Sequence, residues 1–168
     1  MKISFVAICF IMIVVSVTQA DTRHIGSSQA YTTINAALTA ADPGDTLLIH
    51  WESPEDSVYA EHVVIHKELT LTSDWTPGSN PAERPLIRYN LSTSNEVISI
   101  QSEYVTVSNL RIENASPFQA ATGDDLMMSE DAGISVINNN CAISHCAITR
   151  CRVGILLYKV INSTFAPR

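Results

Sequence analysis

The chain has 168 residues, 46% of them apolar, and ten basic against seventeen acidic side chains give a formal charge of −7. Acidic residues spread along the chain argue against nucleic acid or an anionic membrane as a partner. Tight binding of a polyanion would need a local basic patch or calcium to compensate.

Met1-Lys2 leads into eleven consecutive apolar residues, Phe5 to Val15, followed by the small-residue site Thr18-Gln19-Ala20. This is the three-part pattern of a secretory signal, and the run is too short for a membrane span, which needs ~20 apolar residues. Residues 1–20 are therefore read as a removable signal and 21–168 as one secreted domain, periplasmic if the host is a Gram-negative bacterium. With Cys9 in the signal, Cys141, Cys146 and Cys151 remain. An odd number leaves at least one thiol unpaired, so disulfides are not the framework. Sequons at Asn90, Asn114 and Asn162 mark glycan acceptors on exposed turns if the host glycosylates.

Tyr31, Ile34, Ala37, Leu38 and Ala41 share one face at helical spacing, with Thr32 or Thr33 as cap and Asp42-Pro43-Gly44 as stop. The period then changes to two. Short runs rich in Val and Ile follow at 46–49, 62–65, 69–72, 86–89, 97–100, 104–107, 110–112, 133–136, 142–143, 147–148 and 154–157. Two loops interrupt them, Trp75 to Arg84 and Ala115 to Ala132.

The internal repeat decides the fold class. Gly133-Ile134-Ser135-Val136 returns as Gly154-Ile155-Leu156-Leu157 after 21 residues, and the segments at Val64, Ser99 and Ser135 return at a spacing near 35. Strands this short cannot stand as isolated hairpins, but they suit a solenoid in which each coil stacks on the one before. Asn109, Asn114 and Asn138 to Asn140 supply residues tolerant of tight bends. The expected architecture is all-β, a right-handed parallel β-helix with an N-terminal capping helix; a sandwich of antiparallel strands is the alternative.

Several segments carry a resemblance. Tyr31 to Leu38 with Pro43 to Ile49, the Val58-Tyr59-Ala60-Glu61-His62-Val63-Val64-Ile65 run and Ser108 to Asn114 resemble the pectin lyase-like superfamily of right-handed β-helices. The early coils are similar to pectin methylesterases. Those enzymes carry a catalytic Gln-Asp-Thr motif after an Asn-Cys strand, whereas His145 to Gly154 here contains no carboxylate and no amide side chain. The repeat from Gly133 to Thr149 is similar to non-catalytic coil-repeat proteins of the NosD-like and carbohydrate-binding group. The resemblance implies a glycan-binding or surface role without a complete catalytic site.

Two alternatives stay open. Gly123-Asp124-Asp125 with Glu130-Asp131 resembles the paired carboxylates of polysaccharide hydrolases, so Asp124, Asp125 and Asp131 are the candidate catalytic residues of a polysaccharide-degrading enzyme. The same oxygens could form a calcium site, or simply a solvated acidic loop. Cys141, His145, Cys146 and Cys151 are the candidate ligands of a copper or zinc site in the NosD manner, against a reading of the Cys as small core residues. His50, His62 and His66 have no carboxylate at a defined spacing and are read as surface or bend residues. Trp51, Tyr59, Trp75 and Tyr104 are either a sugar-stacking platform or packing residues. No cap is evident after Val160-Ile161, so the chain is expected to be part of a longer product or to self-associate through the open coil end.

Overall fold

The computed structural model describes residues 19–89, 96–114, 132–151, 153–158 and 162–166. Strand β1 (Thr22–Ile25) precedes helix α1 (Ile34–Ala40), and four triplets of strands follow. The triplets are β2 (Thr46–Ile49), β3 (Val58–Tyr59), β4 (Val63–Ile65); β5 (Thr70–Ser73), β6 (Leu86–Tyr89), β7 (Glu96–Ile100); β8 (Thr106–Ser108), β9 (Arg111–Asn114), β10 (Ala132–Val136); and β11 (Ala142–Ser144), β12 (Ala147–Thr149), β13 (Val153–Leu157). Strand β14 (Thr164–Ala166) comes last.

The three members of each triplet belong to three different sheets. These run β1-β2-β5-β8-β11-β14, β13-β10-β7-β4 and β12-β9-β6-β3, and every pairing is parallel. This is a parallel β-helix, and the antiparallel sandwich is excluded. The 21-residue return is real register, since Ile134 pairs with Ile155. The longer repeat is real as well, with Val64 beside Ser99 and Ser99 beside Ser135.

Alternation along each strand sends every second side chain inward, where it stacks on its equivalents. Leu47, Leu71, Val107, Ile143 and Phe165 form one column. Val63, Ile98, Ile134 and Ile155 form a second, and Tyr59, Ile87, Ile112 and Ile148 a third. Ile87, Ile98, Ile112 and Ile134 are 0% exposed. β-branched residues suit these columns because their restricted rotamers lose little freedom on a pleated surface.

The bends repeat as regularly as the strands. Gly44 (φ 92°), Tyr104 (57°), Asn140 (58°) and Asn162 (58°) each stand two residues before a strand of the six-stranded sheet, all in the left-handed region. Asn109 (62°) and His145 (52°) do the same between the first and second strands of their coils. One left-handed residue reverses the local curvature and redirects the chain into the next sheet. Tyr104 is therefore a bend residue, and β8 starts later than its apolar run implies. The expected bend at Asn114 is not there; this residue ends β9 and is buried.

Helix α1 covers the first coil with Ile34 and Ala37, and Thr33 Oγ1 accepts its capping bond from the Ala36 N–H at 3.2 Å. Glu61 adds a second cap from 27 residues away, accepting from Ile34 N–H and Asn35 N–H at 2.9 Å each. Among the described residues no helix is long and apolar enough to cross a membrane.

Candidate functional site

The outer face of the β3-β6-β9-β12 sheet is set by the same alternation that fills the core. Ile87 and Ile112 point inward, so Leu86, Arg88, Arg111 and Glu113 point outward, with Leu86 beside Arg111 and Arg88 beside Glu113. The loop from Trp75 to Arg84 folds back along this face. Its backbone is held by the 3-10 turn Pro81–Glu83, which Asn80 caps, and by Trp75 Nε1–H donating to Asn80 O at 2.9 Å. Trp75 is buried, and the Arg84 guanidinium lies 3.7 Å from its ring centroid, a cation–π contact.

Loop and sheet enclose a groove of about 520 Å³ lined by Trp51, Asn80, Glu83, Arg84, Arg88 and Arg111, among others. That volume falls in the ~300–1,000 Å³ range of ligand sites. Three arginines thus line one groove in a chain whose net charge is −7. Their freedom differs. Arg88 Nη2 is 3.4 Å from Glu113, which also takes Arg150 at 2.8 Å. Arg111 enters no ion pair among the described residues. A second recess, lined by Trp51, Asp74, Trp75, Thr76, Ser79 and Glu83, adjoins the groove at Trp51 and Glu83.

The residues singled out in the sequence are distributed otherwise. Asp124, Asp125 and Asp131 lie outside the described residues, as does Asn90. Asn114 is 4% exposed, which corrects the expectation of an exposed glycan acceptor there; Asn162 is exposed at its bend. Cys141 is buried in the core, and burial pushes its thiol above the ordinary range. Burial pushes the Cys146 thiol up to about 11, and its S–H points at backbone carbonyls. None of the three cysteines forms a disulfide among the described residues. Cys141, His145, Cys146 and Cys151 are not brought together as a metal-binding group, and no cluster of three or more such ligands occurs among the described residues.

The aromatic residues part company. Tyr59 is a core residue whose buried hydroxyl has no hydrogen-bond partner among the described residues. Trp75 packs beneath Arg84, Tyr104 stands exposed at a bend, and Trp51 lines the groove. The histidines need correcting too, because carboxylates do pair with them across coils. His50 Nδ1 lies 3.0 Å from Asp74, and His62 Nε2 lies 3.8 Å from Glu96. His24 Nδ1 in turn lies 2.7 Å from His50 Nε2.

The arginine set was missed by sequence reasoning, although a signal for it existed. Leu86-Ile87-Arg88 and Arg111-Ile112-Glu113 each place a charge beside an inward Ile, and the coil repeat puts the two triplets in register.

No protein-family model matches the chain, and no curated protein matches it in sequence. Solved structures do match. A pectin methylesterase from Aspergillus niger, in penultimately deglycosylated form, aligns over 86% of this chain and 67% of its own with a TM-score of 0.51 at 13% identity. Its deglycosylated form aligns over 86% and 57%, with a TM-score of 0.51 at 15% identity. A pectin methylesterase mutant in complex with a hexasaccharide aligns over 75% of this chain and 48% of its own, with a TM-score of 0.51 at 16% identity. The chain thus spans from about half to about two thirds of the length of these structures. Three parallel sheets and these neighbours show the fold to be a right-handed parallel β-helix, the fold of those pectin methylesterases.

Proposed function

We propose that this chain is a secreted glycan-binding β-helix, and that the groove of Trp51, Arg84, Arg88 and Arg111 takes an acidic polysaccharide. The observation that carries the reading is one groove lined by three arginines and a tryptophan in a chain of net charge −7. Guanidinium groups present planar forks that match carboxylates, and an aromatic ring offers an apolar face to a sugar. The local basic patch is what an acidic chain requires before it can hold a polyanion. The complex of a structurally similar pectin methylesterase with a hexasaccharide supports a saccharide ligand for this scaffold.

Calorimetric titration with unesterified oligogalacturonate and with neutral oligosaccharides of equal length tests the reading. The acidic oligomer should bind and the neutral one should not, with affinity falling as salt rises. Arg111→Ala and Trp51→Ala should each weaken binding by roughly tenfold or more, in the manner of central contact residues, without changing the melting temperature. Absence of binding to any acidic glycan would reject the proposal. Cleavage or de-esterification of pectin that disappears in Asp124→Ala plus Asp125→Ala would replace it with the catalytic alternative. Stoichiometric copper or zinc lost in Cys146→Ser would favour metal handling.

A further inference from the structure

Asp45 lies in the turn that leads into β2 and is 1% exposed. Its carboxylate is held from three directions. Oδ2 accepts from Arg23 Nε at 2.8 Å and from the Asp42 N–H at 2.9 Å, while Oδ1 accepts from the Asp21 N–H at 2.8 Å. Asp21 is also anchored at its carbonyl, which accepts from the Thr46 N–H at 2.8 Å. The backbone of Asp21 is thus bonded to the first coil at both its N–H and its C=O. Asp21 is also the first residue after the small-residue site Thr18-Gln19-Ala20.

We propose that removal of residues 1–20 completes this cluster: hydrolysis of the Ala20–Asp21 bond releases an α-ammonium group that forms an ion pair with Asp45 at the amino-terminal rim of the solenoid. In the reaction, catalysed by a host signal peptidase, water adds to the Ala20 carbonyl and the C–N bond breaks. Ala20 leaves as a carboxylate, and the Asp21 nitrogen takes up protons to become an ammonium. The donor to the same carboxylate oxygen changes from a neutral amide N–H to a cationic ammonium, so a hydrogen bond to an anion becomes an ion pair. The acceptor is suited to it. Burial alone would raise the Asp45 carboxyl, but the bonds from Asp21, Asp42 and Arg23 hold it below the ordinary range, so it stays ionised. Processing and folding are thereby linked.

The groups that face the new ammonium are Asp45, the Arg23 guanidinium and its second carboxylate partner Asp42 at 3.8 Å, with the side chain of Asp21 itself. One step further out, the Tyr31 hydroxyl accepts from Arg23, and Lys67 donates to the carbonyl of Ala41, the residue before Asp42. A free α-amino group titrates near ~8, and pairing with Asp45 raises that value in the folded state. The pair therefore stabilises fully below about pH 8 and is lost as pH rises through the raised value.

The test has two parts. Secretion of the full 168-residue chain followed by mass spectrometry should give a product beginning at Asp21; any other first residue overturns the proposal. The mature chain is then prepared beginning at Asp21 or at Ala20, and denaturant midpoints of both are followed between about pH 6 and pH 10. The groups common to both chains cancel in the difference. The folding constant of the Asp21 form relative to the Ala20 form should fall about tenfold above pH 8 for each unit by which the amine is raised. Asp45→Asn should abolish that difference. Parallel pH profiles for the two unmutated chains overturn the proposal, and this comparison stands even if Asp45→Asn does not fold.

Discussion

In the middle coils, backbone groups at the bends find partners on the coil before. Thr106 N–H bonds Leu69 O at 3.0 Å, Ala142 N–H bonds Val105 O at 2.9 Å, and Ala147 N–H bonds Leu110 O at 2.9 Å. At the amino-terminal rim, carboxylates take on much of that work. Glu61 accepts from two N–H groups at the start of α1, and Asp45 from two others. Glu52 accepts from the N–H groups of Ser27 and Ser28 at 2.9 and 3.1 Å, and from both serine hydroxyls. Buried backbone donors must be satisfied wherever they lie. A repeat does so with its own backbone, while a rim borrows side chains. The core of the middle coils thus rests on apolar stacking, which is indifferent to pH, while the backbone donors of the rim depend on ionised carboxylates.

Three substitutions probe that contrast. Ile98→Ala, in the column between Val63 and Ile134, should cost about 2–5 kcal/mol because a fully buried side chain leaves a cavity on both neighbouring coils. Chemical denaturation should show the loss at every pH from 5 to 9, and a loss confined to one end of that range would break the contrast. Glu61→Ala should cost about 1–2 kcal/mol by leaving two helix N–H groups without their acceptor. Hydrogen exchange at Ile34 and Asn35 should accelerate while exchange in β9 and β10 is unchanged.

Glu52→Gln has the smallest expected effect and the most specific signature. Hydrogen bonds from Ser27 and Ser28 lower the Glu52 carboxyl to about 2. Its contribution is therefore complete above the unfolded value near ~4.3 and is lost as pH falls toward 2. The variant should be slightly less stable than the parent at neutral pH and converge with it in acid. An acid-unfolding profile unchanged by the substitution would remove Glu52 from the rim network.

Glu61 also shows how a sequence motif acquires a physical meaning. It belongs to the Val58 to Ile65 segment that marks the resemblance, and spacing alone says nothing of its job. Folding places it under the start of α1, so in this chain its hydrogen bonds identify a positioning role. Strands β3 and β14 and the first strand, β1, escaped the reading because each is short or flanked by polar residues, with too few apolar positions to establish a period.

The sequence by itself determined the solenoid. Inward Val and Ile at period two, a Gly-Ile return after 21 residues and a helix before the first coil are local patterns, and stacking identical coils is the arrangement that buries all of them together. Only the tertiary structure decided what meets across coils. His50 beside Asp74, Glu61 beside Ile34, Asp21 beside Asp45 and Arg88 in the same groove as Arg111 are separated by 23 to 27 residues along the chain. Their approach depends on the length of every bend and loop between them, and those lengths vary from coil to coil. The repeat is written in residue types, whereas the site is written in register.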